Sequence, residues 1–317
     1  MTEPPGPGER GADAMYDLHR LRLLRELKHR GTLAAVAAAL SYSPSTVSQQ
    51  LSQLEAEAGV PLLEPVGRRV RLTAQAEILV AHTEAVLERL ERAEADIAAS
   101  LPGLTGTVRV AAFQTAALAL VPDALSRLRA AHPGLRPHVT QLEPEAALPA
   151  LLARDFDLVV AEEYPGGAGP RDAALERADL CADPMRLALP RPVPEGAGAD
   201  DPGAALRALA DLPWVLEPEG SAARRWATTV CRAAGFEPDV RFESPDLLLH
   251  VRLVERGHAV ALLPDLVWGG AAPTVALRGL PRGQRVRTLF TVVRRGRGRH
   301  PAVAAVRGAL RDAARSA

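Results

Sequence analysis

The first apolar positions of the chain recur at helical spacing. Leucine occupies every third position from Leu18 to Leu27, which predicts an amphipathic helix from about Asp17 to His29. Gly31 is a typical residue at which a helix stops. Thr32 then caps a short second helix over residues 33–40, which consists of Ala, Val and Leu. Such small side chains allow close packing against another helix.

A third helix has two dissimilar faces. Ser43 is a good N-cap and Pro44 suits the first helical position, so the helix is predicted over about 44–58. Its apolar stripe comprises Val47, Leu51 and Leu54. Its opposite face is polar and uncharged, and comprises Ser45, Ser48, Gln49, Ser52 and Gln53. Because Ser and Gln carry hydrogen-bonding groups suited to base edges, the turn and this helix predict a helix-turn-helix.

A short basic segment follows the third helix. Gly67 predicts a bend, and residues 69–72 alternate between polar and apolar, as strands do. The pattern predicts a β-wing with arginines on phosphates or in the minor groove, namely Arg68, Arg69 and Arg71. Within residues 15–73, eight basic residues outnumber five acidic ones, although the whole chain has 38 of each. A nucleic-acid site would therefore be local.

A long uninterrupted helix is predicted next, because residues 74–100 contain no Gly or Pro. Six positions in it alternate at spacings of four and three, as in the seam of a short coiled coil. They are Leu79, Thr83, Val86, Leu90, Ala93 and Ile97. This pattern favours a dimerising helix, and the alternative is a helix packed on its own domain.

The remainder alternates strands and helices in two series. The first has strands at 107–113, 136–143 and 157–161 and helices at 114–131 and 144–154. The second has strands at 185–189, 214–216, 240–242 and 259–263 and helices at 221–234 and 246–255. A last strand at 288–293 and a last helix at 301–315 complete the chain. This order predicts two α/β lobes, with the chain crossing between them near 177–183 and 264–275.

Candidate ligand residues follow from the rule that open α/β sheets bind ligands at the carboxyl ends of their strands. The rule selects Thr115, Glu143, Ser221, Ser244 and Asp246. Thr115 and Ser221 begin helices and suit an anion, although each could simply be a cap. Six glutamates crowd the same strand ends and suit a cation: Glu143, Glu145, Glu162, Glu163, Glu217 and Glu219. Both charges of ligand remain open at this point.

Composition excludes several classes of function. Aromatic residues make up 3% of the chain, too few for a stacking platform that binds single strands. Cys181 and Cys231 are far apart, which suits a reducing compartment and argues against a disulfide framework or a zinc site. We find no catalytic or phosphate-binding motif, no secretory signal and no transmembrane stretch. The basic run 294–299 is interpreted as a solvated loop.

Residues 24–73, "LRELKHRGTLAAVAAALSYSPSTVSQQLSQLEAEAGVPLLEPVGRRVRLT", closely resemble the DNA-binding segment of LysR-type transcriptional regulators. Members often carry Arg at the positions of Ala35 and Pro65, where this chain departs. With the helix-turn-helix pattern, the resemblance implies DNA contacts from Ser43, Pro44, Ser45, Thr46, Ser48, Gln49, Gln53, Arg68, Arg69 and Arg71. It also implies a dimerising linker helix and a periplasmic-binding-protein-like effector domain.

The expected α/β protein has four parts. They are a disordered leader at 1–14, a winged helix-turn-helix at 15–73, a linker helix at 74–101 and an effector domain at 104–317. Lobe I of that domain is expected at about 104–177 and 272–317, and lobe II at about 178–271. We expect a cytoplasmic regulator, neither an enzyme nor a cofactor protein. Its expected partners are promoter DNA, a small-molecule effector, a second copy or three further copies, and RNA polymerase, with no membrane. The alternative is an enzyme or a solute-binding domain fused to a helix-turn-helix.

Overall fold

The computed structural model describes residues 16–40, 42–67, 69–167 and 172–316. The predicted leader and Arg68 lie outside these ranges. The chain divides after Leu90 into two compact units. Among the described residues, no helix combines the length and the apolar character that a membrane span requires.

The first unit contains three helices, an antiparallel hairpin and most of a fourth helix. These are α1 (Leu18–Arg30), α2 (Leu33–Leu40), α3 (Pro44–Ala58), β1 (Leu63–Val66), β2 (Arg69–Leu72) and α4 (Ala74–Ser100). Asp17 caps α1 by accepting from His19 N at 2.7 Å, and Ser43 caps α3 by accepting from Thr46 N at 3.1 Å. Gly31 and Gly59 end these two helices in the left-handed conformation. The helices and the hairpin lie where the sequence predicts them.

The core of the first unit is formed by the predicted leucine and valine stripes. Its fully buried members include Leu24 of α1, Val36 of α2 and Leu51 of α3. The stripe of α3 is therefore inward, and the Ser/Gln face is left outside. Burying a leucine side chain stabilises a fold by about 1.5–3 kcal/mol, which suffices to set the rotation of each helix.

The seam proposed for α4 is only partly exposed. Thr83 is 1% exposed and donates its hydroxyl to Leu79 O at 2.8 Å, so it belongs to the core side of the helix. Leu90 and Ile97, by contrast, are 37% and 64% exposed. The prediction that Thr83 lies in a coiled-coil seam is wrong, because this face of the helix packs against the chain itself and is not available to a second copy.

The second unit consists of two α/β lobes. Its first elements are β3 (Gly106–Ala112), α5 (Gln114–Ala119), α6 (Val121–Ala131), β4 (Leu135–Gln141), α7 (Pro144–Leu152) and β5 (Leu158–Glu163). The next are β6 (Leu175–Leu189), α8 (Pro202–Arg207), β7 (Pro213–Leu216), α9 (Ala222–Ala233), β8 (Asp239–Glu243), α10 (Leu247–Glu255) and β9 (Ala261–Pro264). The last are β10 (Ala276–Gly279), β11 (Val286–Arg294) and α11 (Pro301–Ser316).

Lobe I is built on the strand order β6-β11-β5-β3-β4. β3 pairs in parallel with β4 and β5, and β11 is antiparallel to β5 and β6. In lobe II, β9 and β10 flank the far half of β6, while β7 pairs in parallel with β8. Val215 N donates to Val260 O at 3.1 Å, which links β7 to the segment before β9. Both lobes thus present the carboxyl ends of parallel strands.

The chain crosses between the lobes through β6 and again before β11. Residues 175–184 of β6 pair with β11 in lobe I, and residues 185–189 pair with β9 and β10 in lobe II. The second crossing follows Gly279, later than the predicted 264–275, because β10 still pairs with the lobe II half of β6. The predicted helix 114–131 is also two helices, α5 and α6, which meet at Leu120 just before Pro122.

The basic run 294–299 is not a solvated loop. Arg294 is buried and donates its Nε to Glu91 Oε1 at 2.7 Å, while Arg297 lies 3.0 Å from a Glu94 carboxylate oxygen. These ion pairs attach the last turns of α4 to lobe I, both within the second unit. The compositional argument failed here because the acidic partners lie about two hundred residues away.

Candidate DNA-binding surface and ligand cavity

The outward face of α3 is polar and uncharged. Its exposed members are Ser43, Pro44, Ser45, Ser48, Gln49, Ser52 and Gln53, and Thr46 is half-buried. Ser43 Oγ caps the helix, and it lies 2.7 Å from Ser45 Oγ and 2.8 Å from Thr46 Oγ1, so the three hydroxyls form one hydrogen-bonded group at the start of the helix. Ser48 and Gln49 therefore offer the outward hydrogen-bonding groups nearest the start of the helix.

The hairpin β1–β2 is tied to α3 by one carboxylate. Glu55 Oε1 accepts from Leu62 N at 2.8 Å and from Leu63 N at 3.0 Å. This contact fixes the base of the wing relative to the polar face of α3. Arg71 is exposed, and its guanidinium lies 2.6 Å from Glu64 across the hairpin. The backbone of Arg69 pairs with that of Val66.

Several basic residues of the first unit form ion pairs within the unit. Lys28 lies 2.8 Å from Glu77, Arg30 lies 2.9 Å from Glu26, and Arg20 pairs with Glu57. The excess of basic residues counted in the sequence is therefore not all available to phosphates. A phosphate contact by Arg71 would have to compete with Glu64.

A cavity of about 400 Å³ lies between the two lobes of the second unit. It is formed by the carboxyl ends of β3, β4, β5 and β7 and by the first residues of α5, α9 and α10. Its polar lining consists of Gln114, Thr115, Glu143, Glu145, Glu162, Tyr164, Glu217, Glu219, Ser221 and Arg287. Its remaining lining consists of Phe113, Pro218, Gly220, Ala223, Pro245 and Leu247.

Arg287 is a buried guanidinium in the wall of this cavity. It is 1% exposed and donates from Nη2 to Thr115 Oγ1 at 2.6 Å and to Asp183 Oδ2 at 2.7 Å. Its Nη1 donates to Glu162 and, at 3.2 Å, to the Tyr164 hydroxyl. Burial raises the pKa of the Asp183 and Glu162 carboxyls above their ordinary values, although Arg287 opposes that rise. The guanidinium is thus fully engaged within the protein.

Two further carboxyls of the cavity have strongly raised pKa values. Burial, together with the neighbouring Glu162 carboxylate, raises the pKa of Glu143 to about 7. Burial likewise raises the pKa of Glu217 to about 7, and Glu162 and Glu143 contribute to the rise. These carboxyls are close enough to repel one another when ionised.

The predicted ligand residues divide into two groups. Thr115, Glu143 and Ser221 line the cavity, and Ser221 also caps α9 by accepting from Arg224 N at 3.1 Å. Ser244 and Asp246 lie beside the cavity without lining it. Ser244 Oγ accepts from Asp246 N at 3.0 Å, and Asp246 caps α10. Thr115 does not cap α5, because Phe113 is the N-cap.

Three contacts join the lobes across the mouth of the cavity. Gln114 Nε2 of lobe I donates to Asp246 Oδ1 of lobe II at 2.5 Å, and Leu247 N donates to Gln114 Oε1 at 2.7 Å. Glu145 Oε1 of lobe I accepts from Ala222 N, the first amide of α9, at 2.8 Å. The lobes are therefore held in contact by groups that also line the cavity.

Sequence reasoning missed Arg287 and Tyr164 as lining residues. Arg287 precedes the strand that was predicted to begin at Thr288, and the observed β11 begins at Val286. Extending the predicted strand by two residues toward the N-terminus would have placed Arg287 on it. Tyr164 follows two of the glutamates that were singled out, and nothing in its spacing separated it from a core aromatic.

Family models match both units of the chain. The model described as "LysR substrate binding domain" matches residues 101–315, more than half of the chain. The model described as "Bacterial regulatory helix-turn-helix protein, lysR family" matches residues 18–77. Within the described residues, the matches cover α1–α3 and the wing, and all elements of the two lobes.

Relatives and solved structures extend over most of the chain. A probable hydrogen peroxide-inducible genes activator of Mycobacterium avium is 31% identical over 259 residues, which are 81% of this chain and 79% of that protein. The transcriptional activator IlvY of Salmonella typhimurium is 28% identical over 256 residues, 80% of this chain and 83% of its own length.

A full-length OxyR variant from Pseudomonas aeruginosa has the same fold, with a TM-score of 0.66, 22% identity and coverage of 94% of this chain and 95% of that one. Full-length CbnR, solved in complex with its target DNA, gives a TM-score of 0.54 at 22% identity, covering 94% of this chain and 100% of that chain. These identities support the fold alone.

Proposed function

The chain belongs to the LysR family of transcriptional regulators, and on that premise we propose that a small-molecule effector binds in the cavity between its two lobes and changes promoter binding or transcriptional activation. The observation that carries the proposal is the cavity of about 400 Å³, a size suited to one metabolite. It lies at the carboxyl ends of parallel strands, where open α/β folds bind ligands. Among the predicted effector residues, Thr115, Glu143 and Ser221 line it, whereas Ser244 and Asp246 act at its edge.

The proposed DNA contacts lie on α3 and the wing. Ser45, Ser48, Gln49 and Gln53 would read base edges, because their side chains are exposed on a helix whose apolar side is buried. Thr46 would join these recognition residues, and Ser43 and Pro44 would contact the DNA backbone at the start of the helix. Arg68, Arg69 and Arg71 of the wing segment would contact phosphates or enter the minor groove. The uncharged character of the exposed face supports this assignment.

Assembly is proposed through α4. Val86, Leu90 and Ile97 leave an apolar side of this helix exposed, which supports pairing with a second copy as a homodimer or homotetramer. Two copies would place their two α3 helices on the two half-sites of one operator. Contact with RNA polymerase is a further proposal for the activating state.

The family consists of regulators, and we propose that this chain has no catalytic activity and needs no cofactor. Its proposed place of action is the cytoplasm, where promoter DNA is found.

Peroxide sensing does not extend to this chain in our proposal, although the mycobacterial relative is named for it. Burial raises the pKa of the Cys231 thiol to about 12 and also raises that of Cys181. Because the thiolate is the species that peroxide oxidises, both cysteines are poor sensors at neutral pH. The chemistry of the cavity favours reversible binding of an effector.

The test uses the full chain and a reporter driven by a promoter that it binds. Wild type and the Pro245→Trp variant are compared on a panel of carbon and nitrogen sources. Pro245 is exposed and lines the cavity, so Trp there should fill part of it without disturbing the core. The exposed Pro273, also in lobe II, provides a matched Pro273→Trp control.

We expect wild type and Pro273→Trp to change output in the same growth condition, and Pro245→Trp to keep promoter binding while losing the change. An unaltered response in Pro245→Trp would move the effector site away from this cavity. Added hydrogen peroxide should change output in none of the three proteins.

A further inference from the structure

Carboxylates dominate the polar lining of the cavity. Five glutamates and one arginine line it, and the arginine is already paired with Asp183 and Glu162. Of the five, Glu145 contacts a backbone amide, while Glu219 is exposed. The cavity therefore carries excess negative charge in a partly desolvated space, where an added anion would be repelled.

Several groups beside the cavity that could hold an anion are already occupied by the protein. The first amide of α9, Ala222 N, donates to Glu145 at 2.8 Å. The amides at the start of α10 are used in the same way, since Leu247 N donates to Gln114 and Leu248 N to Asp246. The Arg287 guanidinium donates to Thr115, Asp183, Glu162 and Tyr164. An anionic ligand would have to displace an internal acceptor from each of these sites.

Two glutamates of the lining lack a compensating partner. In the described part of the chain, the Glu217 carboxyl receives no hydrogen bond from another residue, although Arg224 Nη1 donates to the backbone oxygen Glu217 O at 3.0 Å. The Glu143 carboxyl accepts one long hydrogen bond, from Gln114 N at 3.4 Å. Burial, with a smaller contribution from the neighbouring Glu162 carboxylate, raises the pKa of each carboxyl to about 7. A ligand that brought positive charge between them would relieve the repulsion among these carboxylates.

We propose that the effector is an organic cation, with an amine or guanidinium group held among Glu143, Glu162 and Glu217. Its apolar part would contact Phe113, Ala223 and Leu247, which line the same cavity. An organic cation is favoured over a metal ion, because no three His, Cys, Asp or Glu groups in the described residues are placed to hold a metal. This inference rests on the proposed function, since it specifies the ligand of the proposed effector cavity.

The proposed charge predicts the direction of pH dependence. Glu143 and Glu217 bind a cation when ionised, so binding should release protons and strengthen from pH 6 to pH 8, around their pKa values of about 7. The other charged or titratable groups around them are Glu145, Glu162, Tyr164, Asp183, Glu219, Arg224 and Arg287. A neutral ligand that accepts hydrogen bonds from the protonated carboxyls would show the opposite trend.

The test compares probes of equal shape and different charge. One series is phenethylamine, phenethyl alcohol and phenylacetate, and the other is 1,5-diaminopentane, 1,5-pentanediol and pentanedioate. Binding to the full chain is measured by calorimetry and thermal shift at pH 6, 7 and 8. We expect at least one amine to bind roughly tenfold more tightly than its neutral and anionic counterparts, and more tightly at pH 8 than at pH 6. Equal or tighter binding of an alcohol or a carboxylate overturns the proposal, as does failure of both amines at roughly 10 mM.

Variants locate the charge. Glu143→Gln with Glu217→Gln keeps the side-chain shapes and should weaken amine binding by roughly tenfold or more. Glu195→Gln with Glu237→Gln changes the net charge equally at two exposed positions and should leave binding unaltered. Thermal unfolding checks that each variant is folded. The pH dependence of amine binding to wild type tests the proposal even if a variant does not fold.

The possible failures are distinguishable. If a carboxylate probe binds and Pro245→Trp abolishes its binding, the cavity remains the effector site and only the charge of the ligand is wrong. If an amine binds and neither Pro245→Trp nor the double glutamine variant weakens it, the ligand lies elsewhere, and both the cationic site and the proposed cavity fail.

Discussion

At the scale of single residues, Arg287 has the largest share of the contacts around the cavity. It joins Asp183 of β6, Glu162 of β5 and Thr115 of α5, so three elements of lobe I meet at one guanidinium. A buried cation of this kind is needed mainly because its partners are buried too. Its removal would leave two carboxylates without compensation.

We predict that Arg287→Met destabilises the fold by about 3–5 kcal/mol at pH 8, the usual cost of removing one partner of a buried ion pair. Without Arg287, the raised pKa values of Asp183 and Glu162 should rise further in the folded state. A carboxyl whose folded pKa lies above its unfolded value favours the folded state more as pH falls, so the loss should be smaller at pH 5. Urea unfolding of wild type and Arg287→Met at both pH values measures the loss in the free energy of unfolding.

Arg186→Met is the control for this experiment. Arg186 pairs with Asp265 at 2.9 Å, but the two side chains are 40% and 33% exposed to solvent. Its removal should cost at most about 1 kcal/mol with little pH dependence. Equal losses in the two variants would show that the burial of Arg287 is not what matters.

At the scale of elements, α3 separates folding from recognition. Its inward residues Val47, Leu51 and Leu54 are fully buried, while Ser48 and Gln49 are exposed. Its ends are fixed by local groups, with Ser43 at the start and Gly59 at the finish. Substitutions on the polar face can therefore change DNA binding without unfolding the unit.

Replacing Ser48 and Gln49 together by Ala should weaken operator binding by a few kcal/mol, since each good base contact contributes about 1–3 kcal/mol. The melting temperature should stay within a degree or two of wild type. Gel-shift titrations of promoter DNA measure the affinity, with the exposed lobe I variant Gln141→Ala as the control. Unchanged affinity in the double variant would remove these residues from the interface.

The exposed apolar side of α4 is predicted to form the contact between two copies of the chain. Leu90 is 37% exposed in the single chain, and in a dimer it would pack against its symmetry mate. Leu90→Asp would bury a charge there, so we expect dissociation to smaller species and weaker operator binding. Light scattering gives the mass of each species, and Leu90→Met, which keeps the site apolar, should assemble as wild type does. A Leu90→Asp protein that retains its assembly would exclude this face.

At the scale of the whole effector unit, the two lobes share one strand, and Leu266, which follows β9 of lobe II, packs against the core of lobe I. β6 runs from lobe I into lobe II, and the return before β11 is the second connection. Across the mouth of the cavity, Gln114 and Glu145 supply the polar contacts to α9 and α10. Two lobes joined in this way can close on a ligand if it binds the closed arrangement more tightly than the open one.

We predict that Gln114→Ala shifts the lobes toward an open arrangement, because it removes the bonds to Asp246 and to Leu247 N. Spin labels at Ser126 of lobe I and Arg256 of lobe II would report the distance between the lobes. Longer or broader distances are expected in the variant without ligand, and Gln141→Ala should match wild type. An unaltered distance distribution would mean that these hydrogen bonds do not hold the lobes together.

The sequence by itself determined most of the elements and their order, although it predicted one helix where α5 and α6 lie and did not predict α8 or β10. α3 could be bounded because its cap Ser43, its Pro44 and its stop Gly59 act within a few residues of one another. The strands of the two lobes could be found because alternation and short apolar runs are local signals. The resemblance of residues 24–73 and the order of strands and helices then sufficed for the family and for the general place of the ligand cavity.

Only the tertiary structure decided which charges meet. Arg287 pairs with Glu162 and Asp183, which are more than a hundred residues away in the sequence. Arg294 pairs with Glu91, at the opposite end of the effector unit in sequence. Thr83 lies in the core rather than in the seam for the same reason. Neither composition nor spacing encodes such pairings, because they depend on how sheets and helices pack. Among the described residues, the same packing engages Arg287, the one arginine of the cavity lining, and leaves the Glu143 and Glu217 carboxyls without an ion-pair partner.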